Sequence, residues 1–462
     1  MAGHASPHRR SARGCQPRPA DHDDEGPRIG GGSRRARRTP PGRGADRRRP
    51  QPPHRGHVGH DGAELRSRLR RRARRARRRR LRARGRGVSA AVTEATRADA
   101  AAPVRRAARR APAVFTALAL ALVALAVVSA GSGQLSIPPD QVLGAFARGW
   151  NDAVRAVGLD ALAVPPGVAM AHVNGEATLW LIRVPRLLMA VLVGAALATA
   201  GVVMQGVFRN PLAEPGVIGI SSGAAVGASA SIVFGLTFLG PVTLPVLAFA
   251  GGLAATVVVY ASARADGRTE VVTLVLTGIA VNAVGGAAIA LFTFLGSTQE
   301  REQIVFWQLG SLNGTRWSDL AIVAPLAIVG IAACLLLSSS LDLLALGERQ
   351  AEHLGVRVEL LRVVAIVVVA LLTCAAVAFC GIIGFVGLVV PHLMRMLLGP
   401  GHRLLTPASA LGGAALLLAA DLVARTAVPG SDLPIGMLTA LIGGPFFFWL
   451  LRRTRRRSGG WG

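Results

Sequence analysis

The chain has 462 residues, 51% of them hydrophobic and 17% charged, with a formal charge of +28. All 53 basic residues are arginine, and they are placed unevenly: residues 1–110 hold 33 arginines against 9 acids, whereas residues 111–462 hold 20 against 16. So apolar a body behind so charged a head excludes a single soluble globular enzyme.

In the head, stretches such as Arg66–Arg86 stack like charges with almost no apolar surface to bury. Self-repulsion and the entropy of ordering predict that residues 1–110 are a disordered arginine-rich segment. Three readings stand side by side. Translation starts later, near Val88 or Val92, and the segment reflects GC-rich coding DNA. Or the segment is an inert tail that holds the N-terminus in the cytoplasm. Or it tethers phosphates, although the aromatic residues that stack on bases are missing from it, so no nucleic-acid partner is expected. Of the four cysteines, Cys334, Cys374 and Cys380 lie in apolar runs without CxxC spacing or neighbouring histidines, and Cys15 lies in the head. Buried, unpaired packing is the reading, with no disulfide framework or zinc site.

A bilayer core of about 30 Å takes about 20 apolar residues as a helix. That ruler predicts ten spans within 111–462, near residues 113–132, 184–206, 214–235, 241–263, 271–296, 318–338, 361–380, 382–398, 404–427 and 434–451. The eighth is short and glycine-rich. The first is too long, and followed by too many others, to be a cleaved signal peptide. With both termini in the cytoplasm, Arg264–Arg268, Arg349–Arg362, Arg403 and the cluster Arg452 to Arg457 fall inside, as the positive-inside rule requires. Arg183, Arg186, Arg301, Arg316 and Arg425 then fall outside, where few arginines are expected. Intramembrane charge is sparse, the clearest being Asp421 with Arg425 four residues on, along one helical face. Too few buried carboxylates are present for an ion-coupled secondary transporter, the alternative class.

Arg183 and Arg186 stand three residues apart at the start of the second span, with Pro185 suited to a first helical turn. Two cations at a helix N-terminus are disfavoured by the dipole, so an acidic partner is expected: Glu176 within the chain, lipid phosphate, or a carboxylate on another protein. Arg425, at a helix C-terminus, is favourably placed in any case. Pro211 and Pro215 make Asn210-Pro211-Leu212 a rigid turn at the inner end of the second and third spans. The longest inner loop, Leu341 to Arg362, interleaves Leu341, Leu343, Leu344, Leu346, Ala351 and Leu354 with Glu348, Arg349, Gln350, Glu352 and His353. Gly347 and Gly355 divide it into two short amphipathic helices, a pattern that also suits a segment lying on a membrane surface.

These stretches, together with Gly194, Gly201, Gln205, Arg209 to Gly216, Gly384-Phe385-Val386-Gly387 through Pro391-His392, and Asp432-Leu433-Pro434-Ile435-Gly436, resemble the FecCD-type permease family from about residue 112 to 452. The head has no counterpart in that pattern. The resemblance implies an all-α, ten-helix permease of the type II ABC importer class in the bacterial cytoplasmic membrane. It further implies a paired permease (homodimer or homologue), two cytoplasmic ATPases, a periplasmic or lipid-anchored binding protein, and an iron–siderophore cargo, with haem or cobalamin as alternatives. Residue by residue it implies that Arg183, Arg186 and Arg425 receive acidic groups of the binding protein. It implies that Asn210 and Leu212 narrow the cytoplasmic exit, and that Gly347, Glu348, Arg349, Ala351, Leu354 and Gly355 engage the ATPase.

The chain has no lysine and hence no Gly-x-x-x-x-Gly-Lys-Ser/Thr phosphate loop, so Mg-ATP belongs on a partner and no cofactor is expected here. His392, alone beside Pro391, reads as structural, and Trp307 and Trp317 as interfacial aromatics. No nucleophile–base pair or metal-ligand spacing occurs, so no enzymatic step is assigned.

Overall fold

The computed structural model describes residues 109–457 apart from 134, 266 and 267; the arginine-rich head and Cys15 lie outside the described residues, save the head's last two positions. The helices are α1 (Arg109–Gly131), α2 (Pro139–Ala156), α3 (Gly175–Phe208), α4 (Ile220–Val233), α5 (Thr243–Ser262), α6 (Val271–Leu295) and α7 (Thr298–Leu309). Then come α8 (Trp317–Leu344), α9 (Glu348–His353), α10 (Val358–Cys380), α11 (Val386–Leu398), α12 (His402–Thr426) and α13 (Ile435–Arg457). A two-residue-per-strand antiparallel hairpin, β1 (Arg264–Ala265) and β2 (Arg268–Thr269), joins α5 to α6.

Seven helices, α1, α3, α5, α6, α8, α10 and α12, are long and apolar enough to cross a bilayer; α4, α11 and the apolar part of α13 are shorter. The ten expected spans are therefore all present as apolar helices in order, but the third and eighth are trimmed. With 14 and 13 residues, α4 and α11 reach only about 20 Å. Pro211 and Pro215 keep 209–219 out of a regular α-helix, and Phe385 sits in the left-handed region at φ 67°. The two breaks meet: the Phe385 N–H donates to Glu214 Oε1 at 2.9 Å. Irregular backbone inside a membrane protein is tolerated where protein covers it, and Ala213, Pro215 and Ile218 are buried.

α3 and α10 are apolar all round and buried along most of their length, which marks them as the centre of the bundle. Glycines let other backbones touch α3. A Cβ on Gly194 would lie 2.3 Å from the Gly413 carbonyl of α12, and one on Gly201 only 1.9 Å from that of Gly387 in α11. Such contacts replace a hydrophobic drive between helices in lipid. By contrast, only 11% and 17% of the most apolar 18-residue stretch of α1 and of α6 is buried.

Two local structures differ from the sequence reading. The helix carrying Arg183 begins at Gly175, eight residues earlier, and passes through a wide π turn over Leu179–Arg183 in which Val184 N–H donates to the Leu179 carbonyl. Pro185 follows that turn and is not at a first turn, so the two arginines sit inside a helix and the dipole penalty does not apply to them. The loop Leu341–Arg362 holds one short helix, α9, between Gly347 and Gly355, because its ends are continuations of α8 and α10. A helix with no counterpart in the ten-span reading, α2, packs Val142, Ala145 and Val154 inward and ties Asn151 to the backbone of Val164 in both directions, at 2.7 and 2.8 Å.

Candidate functional site

At one end of the bundle the arginines singled out by sequence converge. Arg186 Nε donates to Asp421 Oδ1 at 2.8 Å and Nη1 to Asp432 Oδ2 at 2.7 Å. Arg425 Nε lies 3.1 Å from Asp421 Oδ2, an ion pair without hydrogen-bond alignment. Its Nη1 and Nη2 instead donate to the carbonyls of Ser132 and Ser129, at 3.1 and 3.0 Å, and Nη2 to Ser129 Oγ at 2.6 Å. Arg183 Nη1 donates to the Ala130 carbonyl at 2.5 Å, and Nη2 to the Leu135 carbonyl. Arg183 and Arg425 thus cap the C-terminal carbonyls of α1, orphan acceptors carrying the negative end of that helix dipole.

The expected acid, Glu176, is taken by Arg148, with Oε1 2.5 Å from Nη2. Asp421 and Asp432 are the internal partners instead. Three guanidinium groups against two carboxylates leave the cluster at net +1, and Arg183 has no carboxylate within ion-pair distance among the described residues. The group is deeply set, with the Arg186 and Asp421 side chains 8% and 1% exposed. It lines a cleft of about 310 Å³ with Thr178 and Asn313. Isolated charges this buried would be intolerable, and pairing is what keeps them there.

At the other end of α3, about 38 Å along the helix from Arg183, lie the turn and the loop. Arg209 closes α3 in the left-handed conformation (φ 49°), and the Asn210 N–H reaches back to the Gln205 carbonyl at 3.2 Å. Asn210 Oδ1 accepts the Leu212 N–H at 2.9 Å, and the Asn210 carbonyl accepts the Ala213 N–H at 3.1 Å. These bonds fix 209–213 as one rigid piece, with Leu212 exposed and Ala213 buried. In the loop, Ala351 is fully buried, Arg349, Leu354 and Gly355 are exposed, and Gly347 and Gly355 take positive φ of 114° and 88°. Leu354 and Gly355 also border a groove of about 440 Å³ with Val356 and Leu360.

Glu348, at the start of α9, is where these pieces join. Its Oε1 lies 2.5 Å from Arg362 Nη2 and 3.6 Å from Arg209 Nη2. Arg362 Nη1 also reaches the Thr269 carbonyl at 3.3 Å and Glu359 Oε2 at 3.8 Å, while Glu359 accepts both the N–H and the hydroxyl of Thr269. Arg209, Arg362 and Asp432 were not marked for these contacts by sequence. Arg209 and Asp432 fall inside motifs that carry the family resemblance, and a partner 246 residues away from Asp432 follows no spacing rule. The remaining expected features are plainly placed. Cys334, Cys374 and Cys380 are free and buried, Trp317 donates to the Trp180 carbonyl at 2.8 Å, and His392 is half-buried on α11. Among the described residues no group of three or more His, Cys, Asp or Glu is placed to hold a metal ion.

The sequence model of the FecCD transport family matches residues 119–453. The hemin transport system permease HmuU of Yersinia pestis is 42% identical over 74% of this chain and 96% of its own length. The Fe(3+) dicitrate transport system permease FecD of Escherichia coli K12 is 44% identical over 59% of this chain and 84% of its own. The cobalamin import system permease BtuC of Halobacterium salinarum is 44% identical over 60% and 74%. A solved inward-facing metal-chelate type ABC transporter superposes with a TM-score of 0.63 at 33% identity, over 74% of this chain and 99% of that one.

Proposed function

The chain belongs to the FecCD transport family, and from that membership we propose that it is the permease of a binding-protein-dependent ABC importer carrying an iron chelate across the cytoplasmic membrane. The carrying observation is the likeness to a hemin permease along 96% of that protein's length. The relative named for ferric dicitrate supports an iron cargo of the siderophore kind as well. The cobalamin-named relative favours a second reading, a corrin cargo moved by the same mechanism.

In this reading the permease pairs with a second copy or a homologue and performs no bond chemistry. Hydrolysis of Mg-ATP takes place on two partner ATPases, since a chain without lysine holds no Walker-type phosphate loop. Arginine placement sets the termini inside, so the Arg183–Arg186–Arg425 cleft faces out and the Leu341–Arg362 elbow faces in. An acidic group of the loaded binding protein docks at the cleft, where Arg183, bound among the described residues by the carbonyls of Ala130 and Leu135, has charge to offer. Asn210 and Leu212 narrow the exit, and Gly347, Glu348, Arg349, Ala351, Leu354 and Gly355 present the elbow to the ATPase. The transporter alternates between two packings biased from both faces.

The test is uptake by proteoliposomes holding the permease, its ATPase and its binding protein, with haemin, ferric dicitrate and cyanocobalamin offered separately. ATP-dependent accumulation of an iron chelate is expected. Accumulation of cyanocobalamin alone selects the corrin reading, and uphill transport without the ATPase sinks both. Arg183→Glu should weaken binding-protein affinity about tenfold, the scale of a charge-assisted contact turned repulsive, with ATPase assembly intact. Unchanged affinity removes the docking role.

A further inference from the structure

We propose that Arg209 and Glu348 form the link by which the elbow sets the position of the exit turn. The inference rests on the reading of Leu341–Arg362 as the ATPase-facing elbow and of Asn210 and Leu212 as the exit, and adds the element between them.

Three observations carry it. First, Glu348 is in the first turn of α9, the helix that the ATPase would displace, and its carboxylate is shared by two arginines from other elements. Arg362 belongs to α10, and Arg209 to the end of α3. Any tilt of α9 that keeps the short Arg362 contact changes the 3.6 Å distance to Arg209. Second, Arg209 cannot move alone. Its left-handed backbone and the bonds from Asn210 to Gln205, Leu212 and Ala213 make 209–213 one body, so a pull on the guanidinium's attachment point is a pull on Leu212. Third, the ionic contact runs beside a continuous apolar one. Val207 and Ala213, on either side of the turn, belong to the same buried cluster as Leu341, Leu344, Ala351, Val358 and Leu361 of the elbow. Packed side chains with two discrete arrangements are the physical medium for coupling, and a charge shared between them is what biases the choice.

Arg209 and Glu348 are half-exposed, at 50% and 41%, so water screens them and the pair holds weakly. A link that must break and reform on each cycle needs that weakness. Arg362, at 8% exposure, is instead fixed by Glu348, Glu359 and the Thr269 carbonyl, and serves as the anchor. Arg209 is therefore a positioning residue.

The experiment uses the full permease assembled with its ATPase in inside-out vesicles and needs no cargo. Leu212→Cys, in a chain carrying Cys15→Ser whose Cys334, Cys374 and Cys380 are buried, is labelled with a membrane-impermeant maleimide with and without nucleotide. In the otherwise unaltered chain, nucleotide should change the labelling rate. Arg209→Gln should shrink that change about threefold, within the range one exposed pair contributes, while ATP hydrolysis and co-purification of the ATPase persist. Arg209→Lys should restore it, and Arg209→Gln with Glu348→Gln should do no more than Glu348→Gln alone. An equal nucleotide response in Arg209→Gln, or additive effects in the double variant, overturns the link and leaves the exit reading standing. No nucleotide response at Leu212 in the unaltered chain overturns the exit reading and this inference together.

Discussion

The two ends of α3 solve the same problem, holding arginines near apolar protein, in opposite ways. At the Arg183 end the charges are sunk and over-determined: Arg186 uses both its Nε and its Nη1 on two different carboxylates, and Arg425 divides itself between Asp421 and the carbonyls of α1. At the Arg209 end one carboxylate is shared by two arginines, one of them half in solvent. In a low-dielectric setting a paired charge is costly to assemble and costlier to break, whereas an exposed pair is nearly neutral in either state. The first arrangement suits a fixed surface presented to a visitor. The second suits a joint.

Breaking that contrast should show in the size of the response. Asp421→Ala strands Arg186 and Arg425 in the bundle and should destabilise the chain by about 3–5 kcal/mol, read as a lowered unfolding midpoint in detergent. Asp432→Ala, whose carboxylate is more exposed, should cost roughly 1 kcal/mol. Equal losses in the two would mean that burial does not set the strength of the cluster. Gly355→Ala at the elbow should cost about 1–2 kcal/mol through its left-handed backbone alone, since a Cβ there meets no atom within 4 Å. The smallest effect sharpens the comparison instead. Raising salt to about 1 M, where the Debye length is about 3 Å, should weaken the Arg209–Glu348 response less than twofold and leave the unfolding midpoint of the Asp421 cluster unmoved.

Much of this was legible beforehand, for identifiable reasons. The ten apolar helices are read directly from hydropathy because the bilayer imposes one length on them, and Asp421 with Arg425 from helical spacing. The out-of-place Arg183 and Arg186 drew notice by their position, but their partners did not follow. Glu176 was the nearest acid in sequence, and Asp421 and Asp432 reach Arg186 only through the packing of α12 against α3 and the connection that follows α12. Helix α2 escaped because a ruler of continuous apolarity does not register an amphipathic helix between spans. The trimmed α4 and α11 could have been anticipated on one side, from Pro211 and Pro215. On the other side, the left-handed Phe385 is held by a carboxylate 171 residues away and has no local signal.

The wide turn at Leu179–Arg183 also governs what α3 can tolerate. Five residues there fill a coil that ordinarily takes about four, so the part of the helix before it is rotated by roughly 100° relative to a regular rod. That offset aims the Trp180 carbonyl at Trp317 and Glu176 at Arg148 while Arg183 and Arg186 still face α1 and α12. Losing a single residue from this stretch would restore a regular winding and swing one set of contacts a quarter-turn past its partners. The Arg183 rim of the protein is thus indexed to its centre by one surplus residue, in the way a keyway fixes the angle of a shaft.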